Sequence, residues 1–371
     1  MTRDNLDFEN LPPQVQAFID ALVAENARLR AELADLRSHS GRAAPATPRP
    51  SPSPSEESFA PLPTPRHPPE VMVVSITART SAKRTPLNAY SAQHRGGTGI
   101  YDIKASDEDP VRHLIVAAAS ATLLVLTSRC RAFRLPLADI ALTEVRGRGE
   151  PLTERLALTP EESITAVLPL DEADTRPQVL IGTQRGWIRK VRRNYVGPAL
   201  RPGTLLYDPH EGGEPMALAL SDGLADIFMA TAQGQGIRFA EKLVPLRGAL
   251  GIRVKPEDTV VGVCPVTDQQ PVLFITRDGK GTRRPMDEFA GQSAGGQGKV
   301  AMKTEELVLA ASVRDEDEVL CISELGKIIR FPAADIPARP SAVQGVAVME
   351  LQRDRVASVV IIPPPTVEMP T

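Results

Sequence analysis

Aromatic residues are scarce in this 371-residue chain: Phe, Trp and Tyr together make up 4% of it. A core must therefore be built from Val, Leu, Ile and Ala, and base-stacking platforms of the single-strand-binding kind are not expected. Cysteine is scarcer still, with Cys130, Cys264 and Cys321 far apart and in or beside apolar runs. That scatter is neither a disulfide framework nor a zinc spacing, and it reads as core thiols in a reducing compartment. No apolar stretch reaches the ~18 residues of a membrane span, and the opening MTRDNLDFEN has no secretory apolar region, so a cytoplasmic protein without a membrane partner is expected. Three common enzyme motifs are missing: no Walker A pattern, no GxGxxG opening a helix and no HExxH. The carboxylate clusters Glu161-Glu162, Asp107 to Asp109 and Asp315 to Glu318 fall at turn signals and read as solvated loop charge, so no metal or other cofactor is implied.

Large net charge is lacking too, the formal value being −3. It hides a modest polarity: residues 71–208 carry 19 Lys and Arg against 14 Asp and Glu, whereas residues 209–371 carry 17 against 22. A nearly neutral chain can bind nucleic acid only if its bases are gathered on one surface.

What the chain does contain is a repeat. Thr77, Thr127, Thr183, Thr231, Thr276 and Ser323 each follow an apolar, β-rich run such as VMVVSI or TLLVL, at spacings of 50, 56, 48, 45 and 47 residues. Seven residues past each anchor stands a base: Arg84, Arg134, Lys190, Arg238, Arg283 and Arg330. Three past it stands Gly186, Gly234, Gly279 or Gly326 in four copies, while Thr80 and Cys130 break the rule in the first two. A second glycine turn ends 20 or 22 residues past the anchor, at Gly99, Gly149, Gly203, Gly251, Gly298 and Gly345. Small sheets of this period cannot bury both apolar faces until neighbours stack on them, and the glycine supplies the positive φ that a tight hairpin needs. The expected fold is all-β: six four-stranded blades closed into a propeller over residues 71–362.

Around this array three further segments are read. Residues 11–37 carry a heptad seam, with Val15, Leu22, Leu29 and Leu36 at d and Ile19, Asn26 and Leu33 at a. Asn at a single a position selects a parallel two-stranded register, and Glu25 facing Arg30 and Glu32 facing Arg37 agree with it, so a coiled-coil homodimer is expected. The alternative is an amphipathic helix packed on its own domain. Residues 38–70 hold ten prolines with almost no apolar content and read as a disordered, semi-extended linker; residues 363–371 read as a frayed tail.

The first repeat contains Gln93-His94-Arg95-Gly96-Gly97-Thr98-Gly99, followed by IYDIK and preceded by Lys83-Arg84-Thr-Pro-Leu-Asn-Ala-Tyr90. Glycines flanked by bases suit close phosphate contact, and equally a tight strand-to-strand turn. This stretch resembles the QRRGGKG box of the DNA gyrase A C-terminal domain, the six-bladed β-pinwheel that wraps DNA, and Arg146-Gly-Arg148-Gly-Glu-Pro-Leu with LALTPEESITAVLPL resembles its second blade. The likeness covers about 290 residues. It implies double-stranded DNA as a partner, gyrase or topoisomerase subunits as a second, and a bacterial, nucleoid-associated setting. His94 and Thr98 stand where the box has Arg and Lys. The seventy residues before the array cannot hold that family's winged-helix and tower domains, and none of Tyr90, Tyr101, Tyr195 and Tyr207 follows an Arg as its nucleophile does, so DNA cleavage is not expected.

The residues expected to face DNA are the box and the rim bases: Lys83, Arg84, Gln93 to Gly99, Arg131, Arg134, Arg146, Arg148, Arg185, Arg189, Lys190, Arg192, Arg193 and Arg238, concentrated in the first three blades. Six equivalent bases on a closed disc would form an electrostatic track for a bent duplex. The bland alternative is that the repeated base caps each hairpin, and a second function class is a protein-interaction propeller that has lost DNA.

Overall fold

The apolar runs are continuous rather than alternating because both faces of every hairpin are buried. In the second repeat Leu123 and Val125 pack toward the first, while Leu124 and Leu126 pack toward the third. The computed structural model describes residue 28 and residues 70–364; the seam residues 15 to 36, the linker up to residue 69 and the tail from residue 365 lie outside the described residues. The six hydrophobic clusters among the described residues each sit at one junction between neighbouring blades. A single blade would therefore expose apolar surface on two sides.

There are six antiparallel four-stranded sheets among the described residues. Their central hairpins are Val71–Thr77 with Ser81–Pro86, Thr122–Thr127 with Arg131–Pro136, Gln178–Thr183 with Trp187–Arg192, Asp226–Thr231 with Gln235–Ala240, Val272–Thr276 with Lys280–Arg284, and Glu318–Ser323 with Lys327–Pro332. The inner strands, Val111–Ala118, Ile164–Leu170, Pro215–Ser221, Val260–Val266, Leu307–Ser312 and Val356–Ile362, follow one another around the centre, the last against the first. The expected closed ring of four-stranded blades is what the chain forms.

The hydroxyl anchors have a common task. In every hairpin the Thr or Ser oxygen accepts from the backbone N–H four residues on, from 2.9 Å at Ser323 to 3.4 Å at Thr231. Its carbonyl accepts from the residue three on, so each turn is a three-residue loop whose last member needs positive φ. Thr80 and Cys130 adopt it without being glycine, at φ 64° and 57°.

The fourth strand of each blade departs from the repeat as read in the sequence. It is two residues long and comes from the next repeat: Glu150–Pro151 joins blade 1, Thr204–Leu205 blade 2, Ala249–Leu250 blade 3, Lys299–Val300 blade 4 and Val346–Ala347 blade 5. Ile100–Tyr101, from the first repeat, pairs with Lys327 and Ile328 and completes blade 6. The second glycine exists for this exchange, since a Cβ on Gly99 would lie 2.4 Å from the Ile328 carbonyl oxygen and one on Gly345 2.5 Å from that of Gly281. In the fourth repeat the positive-φ glycine ahead of the exchanged strand is Gly248 rather than Gly251, which corrects the sequence alignment there.

Candidate nucleic-acid interface

The base seven residues past each anchor reaches into the next blade. Arg84 Nε donates to the Ile140 carbonyl at 2.8 Å, Arg134 Nη1 to Val196 at 2.8 Å, Lys190 Nζ to Glu241 at 3.2 Å, Arg238 Nη1 to Met286 at 3.0 Å, Arg283 Nε to Ile336 at 2.6 Å and Arg330 Nη1 to Tyr90 at 3.0 Å. Every acceptor lies in or beside the short turn that follows the neighbouring hairpin. These six cations are clamps between blades, which is close to the capping alternative. Arg238 is further occupied by Asp226 at 2.8 Å and Asp268 at 2.6 Å.

Lys83 is not a surface base, contrary to the sequence reading. It is 1% exposed, with its ammonium on Asp102 Oδ1 at 2.8 Å and on the carbonyls of Asp102 and Glu144 at 2.7 and 2.9 Å. Asp102 also accepts from the hydroxyls of Ser75 and Tyr90, and burial followed by the Asp102 charge pushes the Tyr90 phenol far up. No phosphate reaches this ammonium. Arg189 is buried as well, ion-paired with Glu211 and stacked 4.6 Å from the Tyr207 ring centre. Arg131 pairs with Glu162 at 2.7 Å, Arg193 donates to the carbonyls of Asp171 and Asp174, and Arg185 reaches the His210 carbonyl at 3.4 Å.

The box sits on the seam that closes the ring. Gln93 N–H donates to the Arg330 carbonyl, Gly96 N–H to Val348, and the Gly97 carbonyl accepts from Glu350 N–H. Arg95 Nε donates to the Asp335 carbonyl at 2.7 Å and its Nη1 to Ala347 at 2.9 Å. The His94 ring stands 3.3 Å from the Asp335 carboxylate, and both His94 and Thr98 are exposed. Thus the cation retained in the box holds blade 6 to blade 1, and the two replaced positions face solvent.

The exposed cations lie elsewhere. Six segments run along the outer edge of the disc to the exchanged strands: residues 91–101, 141–151, 197–205, 245–253, 290–300 and 337–347. Together they hold eight bases, Arg95, Arg146, Arg148, Arg201, Arg247, Arg253, Lys299 and Arg339, against two acids, Glu144 and Glu150. All of these bases but Arg95 are exposed. The loops leading into the inner strands on one face (105–110, 157–163, 208–214, 255–259, 303–306, 351–355) hold thirteen acids against four bases. The connections on the opposite face (119–121, 171–177, 222–225, 267–271, 313–317) hold eight against two. A basic belt therefore runs between two acidic faces, and the belt includes all six repeats rather than the first three. Arg146, Arg148 and Arg95 of the expected set belong to it, while Arg201, Arg247, Arg253, Lys299 and Arg339 were not expected. Their signal in the sequence is a base close to the second glycine of each repeat.

This geometry defines a class, the six-bladed β-propeller with exchanged outer strands and a basic edge. Four of its repeats, residues 72–118, 225–266, 270–313 and 317–363, match the family described as DNA gyrase C-terminal domain, beta-propeller, and the array is a domain of that kind. The chain is 29% identical over 296 residues to the DNA gyrase A protein of Staphylococcus epidermidis, covering 76% of this chain and 33% of the relative, and 28% identical over 305 residues to that of Staphylococcus aureus, covering 79% and 34%. It thus spans about a third of the length of the curated relatives it matches. A solved DNA gyrase A C-terminal domain shares the fold at TM-score 0.69 and 20% identity, covering 79% of this chain and all of that one. The C-terminal domain of a DNA topoisomerase IV does so at TM-score 0.55 and 19%, covering 80% and 94%. Among the described residues no helix is long and apolar enough to cross a membrane.

Proposed function

We propose that this chain is a non-catalytic DNA-binding protein that bends or wraps duplex DNA around the edge of its propeller, as an architectural factor or as an accessory in trans to a gyrase-type topoisomerase, in a bacterial cytoplasm on the nucleoid. The observation that carries the reading is the basic belt bounded by two acidic faces. Such a charge pattern attracts phosphates at the equator and repels them above and below it, so a duplex is confined to the edge and must curve to follow it. Because the belt is read through phosphates, binding is expected to be indifferent to base sequence.

The heptad seam of residues 11–37 makes the protein a parallel homodimer in this proposal, with residues 38–70 letting two discs engage DNA independently. Deleting residues 1–40 gives a monomer by light scattering if the seam is the dimer contact; a truncated protein that stays dimeric contradicts it.

His94 and Thr98 favour the second reading, a propeller that has kept its edge for a protein partner, because the box has lost two of its exposed cations. A mobility shift of the full chain with a linear duplex of ~100 to 200 base pairs at two salt concentrations separates the readings. Binding that collapses at the higher salt supports the DNA proposal. No shift at either salt supports the protein-partner reading.

A further inference from the structure

At four of the six blade junctions the chain of the next repeat zips onto the peptide of the clamp residue. Arg84 N–H donates to Ala141 and its carbonyl accepts from Thr143; Arg283 N–H donates to Pro337 and its carbonyl accepts from Arg339; the carbonyls of Arg238 and Arg330 accept from Gln292 and Gln93. Among the described residues, Arg134 of blade 2 makes no such backbone bond to the third repeat. The stretch opposite it, Gly197-Pro198-Ala-Leu-Arg-Pro202-Gly203, has two residues without an N–H and turns back on itself, Leu200 N–H to Gly197 and Thr204 N–H to Arg201, meeting the blade 2 backbone only at its end, where Gly203 N–H donates to the Ala132 carbonyl. The seam stays open there, as a cavity of about 620 Å³.

We propose that this seam between blades 2 and 3 is a phosphate-binding pocket. Its walls carry Arg134, Arg192, Arg193, Asn194, Glu172 and Asp174. The Asp174 carboxylate is already met from two sides, by the Arg176 guanidinium and by Arg193 at 3.6 Å. Glu172 is exposed. Arg192 is exposed and lines the mouth of the cavity, and Arg134 spends one N–H on Val196. Burial holds the Arg134 guanidinium below its usual range, with the Glu172 charge opposing that shift and the Arg193 charge adding to it. Like charges crowded in a half-buried seam are relieved by a tetrahedral anion, and planar guanidinium groups with several N–H donors are the side chains that grip one. The occupant is a phosphate group, either of the DNA backbone or of a free phosphorylated ligand. Only the first source rests on the DNA proposal above.

Calorimetric titration of the full chain with inorganic pyrophosphate at constant ionic strength tests the pocket. One saturable site is expected, weakened about tenfold by Arg192→Gln, which removes a charge-assisted donor, tightened by Glu172→Gln, and unchanged by Arg129→Gln, an exposed hairpin-tip base outside both the pocket and the belt. No saturable site, or equal loss in the Arg192 and Arg129 variants, overturns the proposal. A duplex displaced by pyrophosphate identifies the occupant as backbone phosphate; a duplex left in place while pyrophosphate binds identifies a free ligand. If the chain binds no duplex yet the titration saturates, the DNA reading fails and the pocket stands.

Discussion

The Nη1 of Arg330 donates to the carbonyl oxygen of Tyr90 at 3.0 Å, joining residues 240 apart in sequence. It is the sixth instance of a bond made at every junction, and here it closes the ring. Beside it, Ile100–Tyr101 of the first repeat completes the last blade. Closure thus depends on a strand of two residues and on the glycine that admits it.

Gly99→Ala tests that dependence. The new methyl would sit 2.4 Å from the Ile328 carbonyl, at a backbone φ of +65°. The left-handed conformation alone costs roughly 1–2 kcal/mol, and the displaced strand adds to it. Calorimetry should show a Tm lowered by several degrees, and limited proteolysis should cut first near residues 91–101. Gly291→Ala, where a Cβ meets nothing within 4 Å, is the control and should leave both unchanged.

Lys83→Met should cost about 3–5 kcal/mol in denaturant unfolding, because it strands the buried Asp102 carboxylate. Adding Asp102→Asn should restore part of that loss. If the double variant is no more stable than Lys83→Met alone, the pair is not what holds the segment after the exchanged strand.

Glu162 gives a pH signature. Its carboxylate is fully buried with Arg131 at 2.7 Å. Burial raises its pKa, but the Thr127 hydroxyl, the Thr159 amide and Arg131 outweigh burial and leave it below the ordinary value. A group depressed in the folded state stabilises fully above its unfolded pKa of about 4.3 and loses that contribution as pH falls through the folded value. Glu162→Gln should therefore cost about 1–3 kcal/mol at pH 7, with the gap to wild type narrowing below pH ~4. A gap independent of pH contradicts the assignment.

The fold was legible in the chain because three landmarks recur in six registers, each with a local cause: the anchor hydroxyl that closes the turn, the clamp base and the second glycine. Strand exchange was not legible, since Ile100–Tyr101 carries no mark of which blade it joins. A base at a fixed place in each repeat suggests a shared surface, but Arg84, Arg134 and the others share a structural task that repeats for the same reason the fold does. The belt residues Arg201, Arg247 and Lys299 stand near the second glycine but at no common distance from the anchor, so that signal reads as a surface only when the outer edge is assembled. Lys83 was misplaced because a lysine beside an arginine reads as surface charge until its partner Asp102 is found 19 residues on.

His94→Arg with Thr98→Lys adds two cations at exposed positions of the ring-closing seam. If the duplex follows the belt across that seam, affinity should rise and the salt slope should steepen by up to about 1.8, at ~0.9 per phosphate contact. Unchanged slope would place the path of the duplex away from blades 6 and 1.

Whether the belt carries the duplex is tested most directly by the salt dependence of duplex affinity in Arg146→Gln, Arg148→Gln, Arg201→Gln and Arg247→Gln combined. If it does, the plot of log K against log salt is flattened by up to about 3.6, at ~0.9 for each lost contact, with far-UV circular dichroism and Tm kept. Arg129→Gln with Arg185→Gln, at hairpin tips on the acidic face, should leave the slope as it is. A folded belt variant with wild-type slope, or a hairpin-tip variant that flattens it as much, contradicts a duplex held on the belt.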